Sequence, residues 1–443
     1  MRPIGVDLFA GAGGLSLGFE QAGFDVRAAV ELDPVHCAVH KYNFPNTAII
    51  SASAAELTGK EIRERASLEH EHIDCVFGGA PCQGFSLIGQ RAFEDPRNKL
   101  VLDFVRLVRE LDAASFVFEN VKGLTVGMHK SFLKELVQAF DDAGYVCKLP
   151  WKVLNAAHFG TPQSRERFIL MGVKKEKKIP EYPRPTTNIA GRPKLFSDLD
   201  FGPTCADAIG DLPDADAFET LRSVDVVKTN RFGQPSEYAA GLRGLTNDAW
   251  YFGYVREWEA NVLTSSARTE HTEISRRRFR ETEVGSVEPI SRFLKLPDAG
   301  VSNTLRAGTD GARGAFTSPR PIHYRYSRCI TVREMARLHG FPDWFRFNQT
   351  KWHGARQVGN AVPPPLARAV ATQILKALDV APTTPNDLIK LGDPALLAFD
   401  LSKASRYFGV KPPPSKRNQK SGAKKRKQKD IEAELMLLRK AND

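Results

Sequence analysis

The chain is 443 residues long, 42% hydrophobic and 26% charged, enough to bury a sizeable core and to fill two domains and a tail. Its six scattered cysteines lack CxxC spacing, which excludes a zinc site or disulfide framework and suits a reducing compartment; no apolar run approaches the ~18 residues of a membrane span, and the first strand begins too close to Met1 for a signal peptide. A formal charge of +11 favours a polyanionic partner, either nucleic acid or an acidic membrane surface, although part of the excess sits in the tail.

Ile4 to Phe9 reads as a strand, and Ala10-Gly11-Ala12-Gly13-Gly14 turns it into a helix from Leu15 to Ala22, ended by Gly23. A second strand, Val26 to Val30, ends at Glu31. An acid about 20 residues beyond a glycine-rich strand-to-helix turn is the arrangement that cradles a nucleoside cofactor: backbone donors approach it at the turn and the carboxylate accepts from ribose hydroxyls. The turn is not GxGxxG and lacks the Gly-Lys-Ser/Thr of a phosphate loop, so a nucleoside without a pyrophosphate fits better than a dinucleotide.

Ile73 to Phe77 is a buried strand that gives way to Gly78-Gly79-Ala80-Pro81-Cys82-Gln83-Gly84-Phe85-Ser86. In an open α/β sheet, loops beyond the carboxyl ends of strands carry ligands and chemistry. Here Pro81 stiffens the loop, the glycines let its backbone approach a ligand, and Cys82 is offered as a nucleophile. The alternative for any single cysteine is a small buried hydrophobe, the reading given to Cys37, Cys75, Cys147, Cys205 and Cys329. Gly89 to Leu100, with Arg91, Arg97 and Lys99, is either a flap or a solvated loop.

Leu100, Val101, Phe104, Leu107, Val108 and Leu111 recur at helical spacing. Ser115 to Phe118 is another buried strand and brings Glu119-Asn120-Val121 to the same sheet edge as Cys82. At that position Glu119 is a structural carboxylate bonded to backbone donors or a catalytic acid. Phe132 to Ala143 is a helix, a strand begins at Val153, and Phe168 to Val173 returns into the sheet. In the polar turn between these strands, Thr161 to Arg167, Arg165 and Arg167 are a solvated pair or reach into the site.

From about Pro183 to Tyr326 prolines, glycines and scattered polar residues replace the alternation, which predicts a separate irregular domain with short strands. Its basic run Arg276-Arg277-Arg278, with Arg280, and its aromatics Trp250, Tyr251, Phe252, Tyr254 and Trp258 suit nucleic acid or simply a small domain's core. Thr331 to Glu334 forms a capping box, opening a helix to about His339 with Gly340 as its stop. Gln357 to Pro365 leads into a helix through Leu378. Lys411 to Lys429 holds nine Lys or Arg and no acid, the composition of a disordered tail.

Together these pieces resemble the DNA (cytosine-5) methyltransferase family. The match runs through DLFAGAGGLSLGFEQAGF (Asp7 to Phe24), Glu31, GGAPCQGFS (Gly78 to Ser86), GQRAFEDPRNKL (Gly89 to Leu100), ENV (Glu119 to Val121), QSRER (Gln163 to Arg167), TVREMARLHGFP (Thr331 to Pro342) and QVGNAVPPP (Gln357 to Pro365), all in the family's order. The resemblance implies an α/β, Rossmann-like adenosylmethionine-dependent domain over 1–182 and a smaller target-recognition domain over 183–326. C-terminal motifs over 327–380 would return to the catalytic domain, followed by an extension over 381–443 with a basic, disordered tail. S-adenosyl-L-methionine is the implied cofactor, bound by Phe9, Ala10, Gly11, Gly13, Gly14, Leu15, Glu31, Asn360 and Val362. Cys82, Glu119 and Arg165 are the implied catalytic residues, Arg165 helping to hold the target ring and Arg167 supporting local structure; no metal is called for.

The implied substrate is cytosine flipped from duplex DNA, in a monomeric enzyme of the prokaryotic cytoplasm with a possible restriction endonuclease partner at the same site. One departure stands out: where the family shows a Gly-Asp pair contacting the adenine, this chain reads Ser51-Ala52-Ser53. Two rivals remain open. An RNA cytosine-5 methyltransferase on this scaffold would have a compact recognition region, against the roughly 140 residues of the middle segment here. A catalytically inactive DNA binder would not need the intact Cys82, Glu119 and Arg165. The recognised DNA sequence sits in loops without a readable code.

Overall fold

Short apolar runs alternating with amphipathic segments wind into a sheet covered by helices on both faces. The computed structural model describes residues 2–81, 99–125, 129–309 and 317–412. Its main sheet holds β1 (Ile4–Leu8), β2 (Asp25–Glu31), β3 (Ala48–Ser51), β4 (Cys75–Gly78), β5 (Ser115–Val121), β6 (Tyr145–Cys147), β7 (Lys152–Asn155) and β8 (Glu166–Lys174). The order is β3-β2-β1-β4-β5-β8-β6, with β7 also paired to β8. β1 to β5 pair in parallel, whereas β8 pairs antiparallel with β5, β6 and β7. Because the chain winds outward from β1 to β3 and returns to β4 on the other side, the order switches between β1 and β4. A crevice opens there, outside the strands' carboxyl ends.

The helices of this half are α1 (Gly14–Ala22), α2 (Pro34–Asn43), α3 (Gly59–Ala66), α4 (Lys99–Glu110) and α5 (His129–Asp142). Phe104, Val108, Phe132 and Phe140 pack on one face of the sheet, where Phe116 and Phe140 stack at 3.7 Å. On the other face Leu15 and Phe19 of α1 join Leu366, Val370 and Ile374 from near the chain's end. The sequence reading did not predict α2 or α3. α3 is short and polar and α2 is buried nearly all round, so neither shows a clear apolar stripe, and their starts are fixed instead by caps: Asp33 accepts from Val35 N, and Thr58 and Glu61 close a capping box.

The middle segment carries α6 (Cys205–Ile209), α7 (Glu237–Leu242), α8 (Glu273–Glu281), β9 (Val227–Lys228), β10 (Val255–Glu257) and β11 (Val262–Leu263). It is followed by α9 (Val332–His339), α10 (Lys351–Asn360), α11 (Pro364–Ala377), β12 (Leu388–Lys390) and α12 (Leu401–Tyr407). The predicted separate domain shares its core: Ile209, Leu212, Leu221, Leu263 and Leu305 form one apolar cluster with Met335, Phe341 and Phe345. Its aromatics serve packing too. Trp250 stacks on Trp344, and the Arg256 guanidinium lies 4.7 Å from the Trp344 ring while pairing with Glu20 of α1 at 2.7 Å. The basic run is matched by acids, Arg276 with Asp216, Arg277 with Glu281, Arg278 with Glu288 and Arg280 with Glu273.

Past α11 the chain stays packed for some distance. β12 pairs in parallel with β10, and Leu396 and Leu397 bury against Val39 and Tyr42 of α2. The basic stretch beyond residue 412 lies outside the described residues. No helix among the described residues is long and apolar enough to cross a membrane.

Candidate active site

The crevice at the switch point is a cavity of about 800 Å³. Its first wall is the turn from β1 to α1. The chain reverses there through positive φ at Phe9 (59°), Gly11 (56°) and Gly13 (101°), conformations that favour glycine at the last two positions. Phe9, Ala10, Gly11, Gly14 and Leu15 line the cavity; Gly13 does not, and a Cβ on it would press 2.7 Å from the Phe44 ring. Gly13 therefore serves the turn, and the others face the ligand space.

Glu31 ends β2 beside this turn. Its Oε2 accepts from Gly11 N at 2.9 Å and its Oε1 from Asp33 N at 2.8 Å, which locks the carboxylate between the two loops. Glu31 lines the cavity, and each oxygen keeps acceptor capacity that a ribose hydroxyl can use. Ala52, Ser53 and Ala54 line the same end. Of the serines at the family departure, Ser51 is buried beside the Cys37 thiol and Ser53 Oγ accepts from Ala55 N at 3.3 Å. The opposite wall comes from the chain's far end, Asn360, Ala361 and Val362. Gly14 makes this closure possible, since a Cβ there would sit 2.6 Å from Val362 O. These donors and acceptors fit a nucleoside-bearing cofactor such as S-adenosylmethionine.

The second half of the cavity holds Gly79, Ala80, Pro81, Glu119, Asn120, Arg165 and Arg167. Cys82 itself, and Gly89 through Asn98 of the stretch read as a flap or a solvated loop, lie outside the described residues. What leads to Cys82 is well tied: Asn120 Nδ2 donates to Ala80 O at 3.0 Å. A Cβ on Gly79 would displace the Glu119 carboxylate, so glycine here leaves that group its place. Glu119 is buried. Burial raises its pKa above the usual carboxylate range, while the charges of Arg167 and Arg165 work the other way.

The two arginines divide their work. Arg165, 1% exposed, donates from Nη1 to Leu305 O at 3.0 Å and from Nη2 to Gly359 O at 2.7 Å. Arg167, read from sequence as a support, is the one that pairs with Glu119, Nε to Oε1 at 2.7 Å. Sequence reasoning also missed the rim formed by Thr304 to Thr309. Only its small residues, Ala307 and Gly308, hint at close approach, and nothing distinguishes them from other glycine-rich loops nearby. The five cysteines given the buried reading are indeed buried, and burial pushes the thiols of Cys75 and Cys147 up to about 12.

Known proteins resemble this arrangement throughout. A family profile described as C-5 cytosine-specific DNA methylase matches residues 5–376. The chain is 56% identical over 409 residues to the Type II methyltransferase M.XorII of Xanthomonas oryzae pv. oryzae, covering 92% of this chain and 93% of that one. It is 33% identical over 376 residues to the Type II methyltransferase M1.HphI of Haemophilus parahaemolyticus, covering 84% and 86%. The crystal structure of a prophage-encoded E. coli protein, described as a DNA modification methyltransferase, superposes with a TM-score of 0.68 at 30% identity, over 85% of this chain and 99% of that chain. The profile's span takes in both walls of the cavity, and the chain belongs to the C-5 cytosine-specific DNA methylase family.

Proposed function

We propose that the protein methylates carbon 5 of a cytosine turned out of duplex DNA at one short sequence, as a monomeric cytoplasmic enzyme and the modification half of a restriction–modification pair. The observation that carries this reading is the single cavity whose one end is the Gly11–Glu31 cradle and whose other end is the Glu119–Arg167 pair. Bound S-adenosylmethionine supplies an electrophilic methyl group. Phe9, Ala10, Gly11, Gly14, Leu15, Glu31, Asn360 and Val362 would hold it, with Gly13 shaping the turn.

Carbon 5 of cytosine is a weak nucleophile, so the ring must first be made electron-rich. Cys82 adds as thiolate to carbon 6; the C5=C6 electron pair shifts to form C4=C5, and the C4=N3 pair moves onto nitrogen 3, which takes a proton from Glu119. Carbon 5 then takes the methyl group. Solvent water then takes the carbon 5 proton, whose electron pair forms C5=C6 as the C6–S bond breaks to return the thiolate, and nitrogen 3 gives its proton back to Glu119. Burial raises the Glu119 pKa, which favours the protonated form that nitrogen 3 needs. Arg167 fixes the carboxyl's orientation, and Arg165 holds the wall behind the ring.

Bisulfite sequencing of plasmid DNA from expressing cells tests the reading. Methylcytosine should be confined to one short motif and vanish in Cys82→Ala, while Glu119→Gln should slow methylation in vitro by about 10²- to 10⁴-fold. Methylation persisting in Cys82→Ala, or modified RNA beside unmodified DNA, would overturn it.

A further inference from the structure

The rim segment and the cofactor wall are joined by an unbroken chain of buried hydrogen bonds. Leu305 N donates to Gln163 Oε1 at 3.0 Å, and Gln163 Nε2 lies 2.9 Å from His339 Nδ1. His339 Nε2 in turn lies 3.0 Å from Ala361 O. A carbonyl only accepts, so Nε2 must carry the imidazole proton, Nδ1 must accept, and the Gln163 amide can point only one way. Gln163 and His339 are both 0% exposed and Leu305 is 1% exposed, so the chain is sealed from water up to Ala361, which borders the cavity. Ala361 lies between the two cofactor-wall residues Asn360 and Val362, and Leu305 lies between Thr304 and Arg306.

Those flanking residues face the entrance. Arg306 is exposed at the rim and has no hydrogen-bond or ion-pair partner among the described residues, a free cation where a DNA backbone must pass for its base to enter. Its backbone is held firmly. Ser164 N donates to Ser302 O at 2.8 Å, Thr304 Oγ1 to Ser164 O at 2.8 Å, and Gly359 packs against the Arg306 and Ala307 main chain. A load on the rim therefore reaches Gln163 and His339, beside the Arg165 bridge from Leu305 O to Gly359 O, rather than dissipating in a slack loop.

Resting on the cofactor and DNA assignments above, we propose that His339 is a positioning residue that couples the two: DNA held at the Ser302–Thr309 rim sets the Ala361 carbonyl, and with it the affinity for the cofactor. Coupling of binding is reciprocal, so cofactor tightens DNA by the same factor. His339 touches neither ligand.

The test is equilibrium dialysis of labelled S-adenosylhomocysteine against the full chain, with and without plasmid DNA. DNA should raise the wild-type affinity by about fivefold or more, the usual scale of such coupling. His339→Gln keeps a donor for Ala361 O and loses the acceptor for Gln163; His339→Asn does the reverse. In both, and in Gln163→Met, which leaves the imidazole untouched should the His339 variants fail to fold, the DNA-dependent ratio should fall toward one. A merely structural role would shift both affinities together and leave the ratio intact, which would overturn the inference. So would a wild-type ratio of one. Wild-type protein that binds no probe at all would refute the cofactor assignment, and this inference with it.

Discussion

Asp7 shows how strongly the sheet's interior acts on a single carboxyl. It lies fully buried in β1, below the cofactor turn, and accepts from Ser16 Oγ at 2.6 Å. Burial outweighs that hydrogen bond and pushes its pKa from 3.8 up to about 8. The native state thus keeps a proton that the unfolded chain has already released, so this group's contribution to stability is full below pH 3.8 and is lost as pH rises toward about 8. The slope approaches ~1.4 kcal/mol per pH unit. Asp7→Asn removes the titration, so its advantage over the wild type should grow between pH 5 and pH 8 in urea unfolding. A pH-independent difference would mean that Asp7 is ionised throughout. Asp7 stood inside the DLFAG motif in the sequence, but its burial depends on α1 folding over it. The arginines illustrate the same limit. Arg165 and Arg167 are two residues apart at the start of β8, equivalent in any strand pattern. Only Leu305 and Gly359, distant in sequence, decide that Arg165 is consumed in holding carbonyls and Arg167 is free for Glu119.

Elements with local signals were legible, and those fixed by distant packing were not. The Thr331–Glu334 capping box and Gly340 mark both ends of α9, and the structure has them: Thr331 N donates to Glu334 Oε2 at 2.6 Å and Gly340 takes φ 87°. α10 was invisible because its only buried apolar side chains are Ala355 and Val358, its start being set by the Thr350 cap. The seam between α1 and α11 likewise depends on a residue without a side chain. A Cβ on Gly18 would collide with Ala367 and lie 2.7 Å from Pro364 O. Gly18→Ala should cost about 1–3 kcal/mol by forcing the helices apart. It should also weaken S-adenosylhomocysteine binding, because α11 directly follows Asn360 to Val362. Unfolding in urea with dialysis of the probe checks both, and wild-type stability would show that the seam yields without strain.

The whole molecule is less divided than its sequence pattern suggests. The middle segment looked like a domain because prolines and glycines interrupt its periodicity, yet its apolar residues close on α9 and on Phe341 to Phe347. The segment after α11 is equally integrated, through β12 on β10 and through Leu396 and Leu397 on α2. Each of those leucines contributes about 1.5–3 kcal/mol by its burial, so ending the chain at Val380 should lower the melting temperature by several degrees. Scanning calorimetry would register it; an unchanged transition would mean that this segment only rests on the surface.

The seam between α1 and α11 also sets a timetable. A ribosome adding about 5–20 residues per second releases α1 tens of seconds before α11 exists. Through that interval the Leu15 and Phe19 face has no lid, and the pocket that starts with Gly11 has only one wall. Newly made protein is therefore inert toward its substrate until α11 has left the ribosome. A cell that depends on this mark acquires the competence to write it only once α11 has been made.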